Sequence, residues 1–352
     1  MATLEKTIAN IEPLRLDPDG SIQRRLDSLT KPPGSLGELE AIAKRIASIK
    51  KILRPKLERK LIFTMAADHG VAGEGVSAYP REVTAQMVAN FLAGGAAINV
   101  LARHVGADVV VVDCGVAAEL PDHPSLVKAK VAPGTANIAA GPAMTRAQAV
   151  RSIEAGIRAF DGCARGQADV VGVGDMGIGN TTPSAAIASV LTGLAPEKVT
   201  GRGTGVEGAA YEKKIDVVRR ALRVNRPSPD DPVDILAKVG GFEIGGIAGV
   251  CLAGAAAGVP VVVDGFISTA GAAIAAGLAP EAKGYLFASH VSVEIGHAAL
   301  LGRLGLAPIF RLGMRLGEGT GAALAIGVMD AAVKILDQMA TFGEAGVSEK
   351  DP

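Results

Sequence analysis

Short apolar runs that end in an aspartate recur along this chain and restrict its fold more than any other feature. KLIFTMAA (60–67) precedes Asp68, DVVVV (108–112) precedes Asp113, ADVVGV (168–173) comes just before Asp175, and Val259–Val263 leads into Asp264. Apolar runs without alternation suit strands covered on both faces. GYLFA (284–288) and Ile309–Leu312 extend the series. Between them, Arg81–Arg103, Thr145–Arg165, Asn180–Gly193, Glu207–Val224 and Asp231–Val239 have helical apolar spacing. This alternation predicts an α/β fold, a mostly parallel sheet of about six strands with helices on both faces. In such sheets ligands bind outside the carboxyl ends of the strands. Asp68, Asp113, Asp175 and Asp264 are therefore expected to share one polar rim.

The two ends of the chain read as helix. Asp19-Gly20-Ser21 can start one helix, and the break at Lys31-Pro32-Pro33-Gly34 lets Ser35 start a second, with Glu38 completing a capping box. AALAIGVMDAAVKILDQMATF (322–342) is a third. The expected division is a small helical domain from residues 1–55 and 322–352, its two parts packed together, and a large α/β domain over 56–321. The polar tail after Phe342 is expected to be disordered.

Charge is balanced, with 36 basic and 36 acidic residues, and no basic tract is interleaved with aromatics. A nucleic-acid partner is not expected. Cys114, Cys163 and Cys251 are isolated, which suits a reducing cytoplasm. MATLEKTIANIEPLRLD lacks the apolar core of a signal peptide. Ile244–Val263 is uncharged and long enough to span a bilayer, but Gly258-Val259-Pro260 divides it. It reads as a buried helix, a turn and a buried strand, with no membrane segment.

Chemistry concentrates in a few loops. In LGMRLGEGTG (312–321) a single acid, Glu318, stands among glycines just ahead of a helix. Glycines let backbone approach a ligand closely, although an acid at a helix start also favours the helix dipole. Gly172-Val-Gly174-Asp-Met-Gly177 fits the dinucleotide template but follows the third run, with an acid inside the turn. With Asn180, Thr181 and Thr182 it offers backbone N–H groups, hydroxyls and a helix N-terminus to one phosphate. Gly201-Arg-Gly203-Thr-Gly205 is a second such loop, followed by Lys213 and Lys214. Asp68-His69-Gly70, Ser77-Ala78-Tyr79-Pro80 and Gln86 could hold a flat ring or form an ordinary loop. His290, Glu294 and His297 would share a helical face but match no zinc motif, so no metal is expected.

SLTKPPGSLG (28–37), ADHGV with SAYP (67–80), GDMGIGNTTPSAA (174–186), GRGTG (201–205) and LGEGTGAA (316–323) occur in this order. Together they resemble the nicotinate-nucleotide–dimethylbenzimidazole phosphoribosyltransferase family across nearly the whole chain. The resemblance implies a Rossmann-like domain, a small helical domain, a homodimer and no cofactor. It also implies transfer of the phosphoribosyl group of nicotinate mononucleotide to 5,6-dimethylbenzimidazole, for cobalamin assembly. It places the catalytic base on Glu318 and a second acid on Asp175, where the family usually has Glu. It assigns the phosphate and ribose to Gly177, Asn180, Thr181, Gly203, Lys214 and Ser292, the last across a dimer contact. The acceptor ring falls against Tyr79, Pro80, Gln86, Met176 and Leu316. Adenine or a phenolic base remains open as acceptor. Competing readings are a nicotinamide-dependent oxidoreductase, resting on Gly172–Gly177, and a non-catalytic nucleotide-binding protein of the same fold.

Overall fold

The computed structural model describes residues 3–348. Seven strands form one parallel sheet: β1 (Lys60–Ala67), β2 (Ala107–Gly115), β3 (Leu126–Lys128), β4 (Val170–Met176), β5 (Val261–Val263), β6 (Leu286–His290) and β7 (Pro308–Phe310). Their order is β3-β2-β1-β4-β5-β6-β7. The chain moves outward one way from β1 and the other way from β4, so a crevice opens between the tips of these two strands. β1 is buried along its whole length, as its unbroken apolar run predicts.

The sheet has one more strand than the apolar runs suggest. β3 is three residues, Leu-Val-Lys, only partly buried at the sheet edge. Too short to show a period, it left no signal. The other strands fall within a few residues of their runs.

One expected helix divides in two. Arg81–Arg103 contains the helices Val83–Leu92 and Ala97–Val105, separated at Gly94, which has φ 77°. A side chain on Gly95 would strike Asn90 Oδ1 at 2.5 Å. By length and composition Val83–Val105 could cross a membrane, but this break prevents a continuous span. Ile244–Val263 resolves into most of helix Phe242–Ala256, a turn at Gly258 and β5.

The helix Thr320–Gln338 lies on the sheet against β4, β5 and β6, beside Ala97–Val105. Helices Arg146–Cys163, Phe242–Ala256 and Phe266–Leu278 form the opposite layer. The chain ends meet. Arg25 donates to the carbonyls of Leu336 and Met339, and Leu29 bridges Thr341. One buried apolar cluster runs from Leu26 through the sheet to Leu336.

The expected Ser35–Glu38 capping box does not form. That helix begins at Glu38 after Gly37, and Glu40 accepts the N–H of Leu36 while pairing with Lys31 at 2.9 Å. The expected disorder after Phe342 is corrected as well, because Phe342–Ala345 is a helical turn capped by Thr341 and Glu344. Residues 349–352 of that tail, and residues 1–2, lie outside the described residues.

Gly174 has a specific packing role. It lies level with Thr64 of β1, and a Cβ there would fall 2.1 Å from the Gly319 nitrogen and 2.5 Å from the Glu318 carbonyl oxygen. Only a bare Cα lets the loop before Thr320 rest on the strand. Gly174→Ala is expected to cost about 1–3 kcal/mol by overpacking, measured as a lower urea midpoint, with loss of whatever activity depends on Glu318.

Candidate active site

Glu318 is built into position by backbone contacts. Its N–H donates to the carbonyl of Asp175 on β4 at 3.1 Å. Its carbonyl accepts from Thr64 Oγ1 on β1 at 2.8 Å. Residue 318 therefore bridges the tips of the two strands where the order reverses. Its φ of 64° is a left-handed conformation that costs a non-glycine residue energy.

Asp264, at the end of β5, holds the loop from behind. It is fully buried and accepts three backbone N–H groups, from Gly319 (3.1 Å), Gly321 (2.7 Å) and Ala322 (3.1 Å). These N–H groups open the helix Thr320–Gln338, which lacks a side-chain cap of its own. Burial pushes Asp264 up to about 7, against the pull of the three N–H donors.

The Glu318 carboxylate is 5% exposed, and its Oε2 accepts the Ile98 N–H at 3.1 Å. Ile98 lies in the first turn of Ala97–Val105, the helix created by the break at Gly94. The positive end of that helix faces the carboxylate. Burial nevertheless raises Glu318 above its ordinary value, against the pull of the Ile98 N–H.

Asp175 is 6% exposed. Its Oδ2 accepts from Asn180 Nδ2 at 2.9 Å, and its buried Oδ1 has no hydrogen-bond partner. Burial, reinforced by the charge of Asp264, pushes it up to about 8. Near neutral pH it holds a proton.

A cavity of about 610 Å³ opens in front of these acids. One end meets the helix Thr181–Thr192, where Lys214 Nζ donates to Thr181 Oγ1 at 2.8 Å. A Cβ on Gly203 would lie 2.7 Å from that Nζ, so the second glycine loop closes over the lysine. Burial pulls Lys214 down to about 8, and Glu294 pushes it back up. Glu294 Oε1 accepts the Gly203 N–H at 2.8 Å, while Arg315 Nη1 donates to the Gly203 carbonyl at 2.9 Å. The other end has an apolar wall of Tyr79, Val83, Met87, Met176 and Leu316. Thr204 joins the two ends, because its Oγ1 accepts the Ala78 N–H at 2.9 Å.

A family model described as phosphoribosyltransferase matches residues 11–347. A protein of Roseiflexus sp. (strain RS-1) named nicotinate-nucleotide–dimethylbenzimidazole phosphoribosyltransferase is 57% identical over 350 residues, covering 99% of each chain. One of the same name from Geobacter metallireducens is 56% identical over 349 residues, again covering 99% of each. The crystal structure of CobT from Thermus thermophilus superposes with a TM-score of 0.90 at 49% identity, covering 98% of this chain and 100% of that one.

The chain belongs to the nicotinate-nucleotide–dimethylbenzimidazole phosphoribosyltransferase family.

Of the residues expected at the site of this family member, Glu318, Asp175, Met176, Gly177, Asn180, Thr181, Gly203, Ser292, Tyr79 and Leu316 line the cavity. Lys214 lies behind Thr181, fully buried, whereas Lys213 is exposed. Pro80 and Gln86 are exposed and lie outside the cavity lining. Val83 and Met87, one turn apart on Val83–Leu92, stand there instead. Asp68 and Asp113 are also outside it. Asp68 accepts the Ala117 N–H, and Asp113 accepts the Val116 N–H and faces Lys130. They fasten loops after β1 and β2.

Nor do His290, Glu294 and His297 share a helix. His290 ends β6, and Glu294 precedes the helix Ile295–Leu304 that contains His297. His297 Nδ1 accepts the Ser292 N–H at 2.8 Å, so its Nε2 carries the proton toward Thr269 Oγ1, also at 2.8 Å. Both ring nitrogens are occupied, and burial pulls the ring down to about 3.

The dinucleotide template loses its glycines to packing. Gly172 faces Ala322 and Ile62, Gly174 faces the Glu318 loop, and Gly177 lies against the Ala67 carbonyl. With all three glycines committed to packing, the turn gives no basis for a nicotinamide-dependent oxidoreductase.

Asp175 also sets a pH dependence. Its folded pKa of about 8 lies above an unfolded aspartate, so between those values the native state keeps a proton that the unfolded chain has lost. Its contribution to stability is full at acid pH and fades as pH rises through the folded value. Thermal melts from about pH 6 to about pH 8.5 should show wild type losing stability, and Asp175→Asn losing less. Parallel curves for the two proteins would show Asp175 to be ionised throughout.

Proposed function

We propose that this enzyme transfers the phosphoribosyl group of nicotinate mononucleotide to 5,6-dimethylbenzimidazole, releasing nicotinate and forming α-ribazole 5′-phosphate. The observation that carries the reading is Glu318, a buried carboxylate of raised pKa held by backbone bonds at the strand-order reversal. Family membership supplies the substrates.

One benzimidazole nitrogen attacks C1′ as the C1′–pyridinium bond breaks. The bonding pair returns to the pyridine ring, which leaves with a neutral nitrogen and needs no general acid. Positive charge on the acceptor makes its other N–H acidic, and the Glu318 carboxylate takes that proton. Such a base contributes about 10²–10⁴-fold in rate. Asp175 serves as a proton-bearing donor through Oδ1. Asn180 keeps it there. Thr181, Gly203, Lys214 and Ser292 hold the donor's phosphate and ribose, with the N-terminus of Thr181–Thr192 favouring the anion. The acceptor ring lies on Tyr79, Val83, Met87, Met176 and Leu316. The homodimer and the cytoplasmic location belong to the same proposal. Exposed Val293, Ile295, Leu312 and Leu316 beside the cavity offer the dimer an apolar surface, and the described cysteines are all free.

Glu318→Gln should lower turnover by about 10²–10⁴-fold while nicotinate mononucleotide still binds. Wild-type activity should rise with pH through a value above the usual carboxylate range, and the variant should lose that limb. Nicotinate release with dimethylbenzimidazole present measures both. Near-wild-type turnover in the variant would remove Glu318 from the chemistry.

A further inference from the structure

The cavity wall carries an uneven set of charges. Glu294, Glu318 and the proton-bearing Asp175 line it, and Arg315 is the single lysine or arginine among the lining residues. His290 does not balance them, because burial pulls its pKa down and keeps the ring neutral. Lys214, behind Thr181, is committed to the phosphate end. The donor adds two anionic ends to this acidic cavity, a phosphate and the carboxylate on its pyridine ring. The Thr181 helix and Lys214 answer the phosphate. Nothing named so far answers the ring carboxylate.

We infer that Arg315 pairs with that ring carboxylate and sets the preference for a nicotinate over a nicotinamide leaving group. The inference rests on the proposed donor. Arg315 is exposed at the mouth of the cavity. One N–H, on Nη1, is committed to the Gly203 carbonyl at 2.9 Å, which fixes the guanidinium beside the phosphate loop. Among the described residues no acid forms an ion pair with it. A guanidinium has five N–H donors in a planar fork that matches a carboxylate. Holding one of them leaves an edge for a ligand. A neutral carboxamide presents one acceptor oxygen and no charge, so it gains much less from the same group. After transfer the leaving ring is a free anion, and Arg315 is the cation beside it.

The test compares wild type, Arg315→Gln and Arg315→Lys with nicotinate mononucleotide and nicotinamide mononucleotide as donors, at saturating dimethylbenzimidazole. Arg315→Gln should lower kcat/KM for the nicotinate donor by on the order of tenfold to a hundredfold more than for the nicotinamide donor, any loss through the Gly203 contact falling equally on both. Arg315→Lys should fall between. Calorimetry with nicotinate alone should show weaker binding to Arg315→Gln, with nicotinamide binding unchanged. Equal losses on both donors would assign Arg315 to the phosphate loop and overturn the inference. Unchanged donor preference and unchanged nicotinate binding would overturn it too. If the wild type releases no nicotinate at all, the functional reading fails separately, and nicotinate binding still decides the role of Arg315.

Discussion

A buried carboxylate gathering three N–H groups from a helix start is the contact on which the rest of the site hangs. Asp264 receives Gly319, Gly321 and Ala322, joining the tip of β5 to the helix that covers the sheet. Unpaired helix-terminal N–H groups are costly when buried. An aspartate in an apolar layer is costly too. Each relieves the other only in this arrangement, so the loop before the helix has one low-energy path. That path passes over Gly174 and places Glu318 between β1 and β4. The acid is thus located by strand tips and a helix end, the most rigid parts of the fold, while its own side chain makes one protein hydrogen bond among the described residues.

The same economy of contacts governs the rest of the cavity. Asn180 links the start of the phosphate helix to Asp175. Glu294 and Arg315 hold the Gly203 peptide from its two sides. Thr204 joins that loop to the strip before Tyr79. The two ends of the cavity are therefore mechanically continuous. Burial first, and then the charge of Asp264, keeps Asp175 protonated in this dry setting.

Much of this was legible in the residues. Unbroken apolar runs gave the parallel sheet because such strands are buried on both faces, as β1 and β4 are. Glu318 and Asp175 could be singled out because glycines leave few other groups beside them. What stayed hidden depended on contacts far apart in sequence. Asp264 looked like any acid after a strand, and its three partners lie 55 to 58 residues away. The division of Arg81–Arg103 hinges on Gly94 and Gly95, which a helical pattern tolerates, and its result is an N-terminus aimed at an acid 220 residues on. Pro80 and Gln86 stand next to the apolar wall, Pro80 ahead of the helix and Gln86 on a phase that leaves Val83 and Met87 facing the cavity. Arg315 carried no signal beyond its place three residues before Glu318.

The left-handed backbone at residue 318 has an evolutionary consequence. Glycine would adopt that φ without strain, whereas glutamate is held there by the surrounding framework. Drift toward the more comfortable residue would strengthen the scaffold and remove the proposed base in one step. Selection for durability alone would therefore erode this position, and a sequence that keeps an acid here records continuous demand for its chemistry.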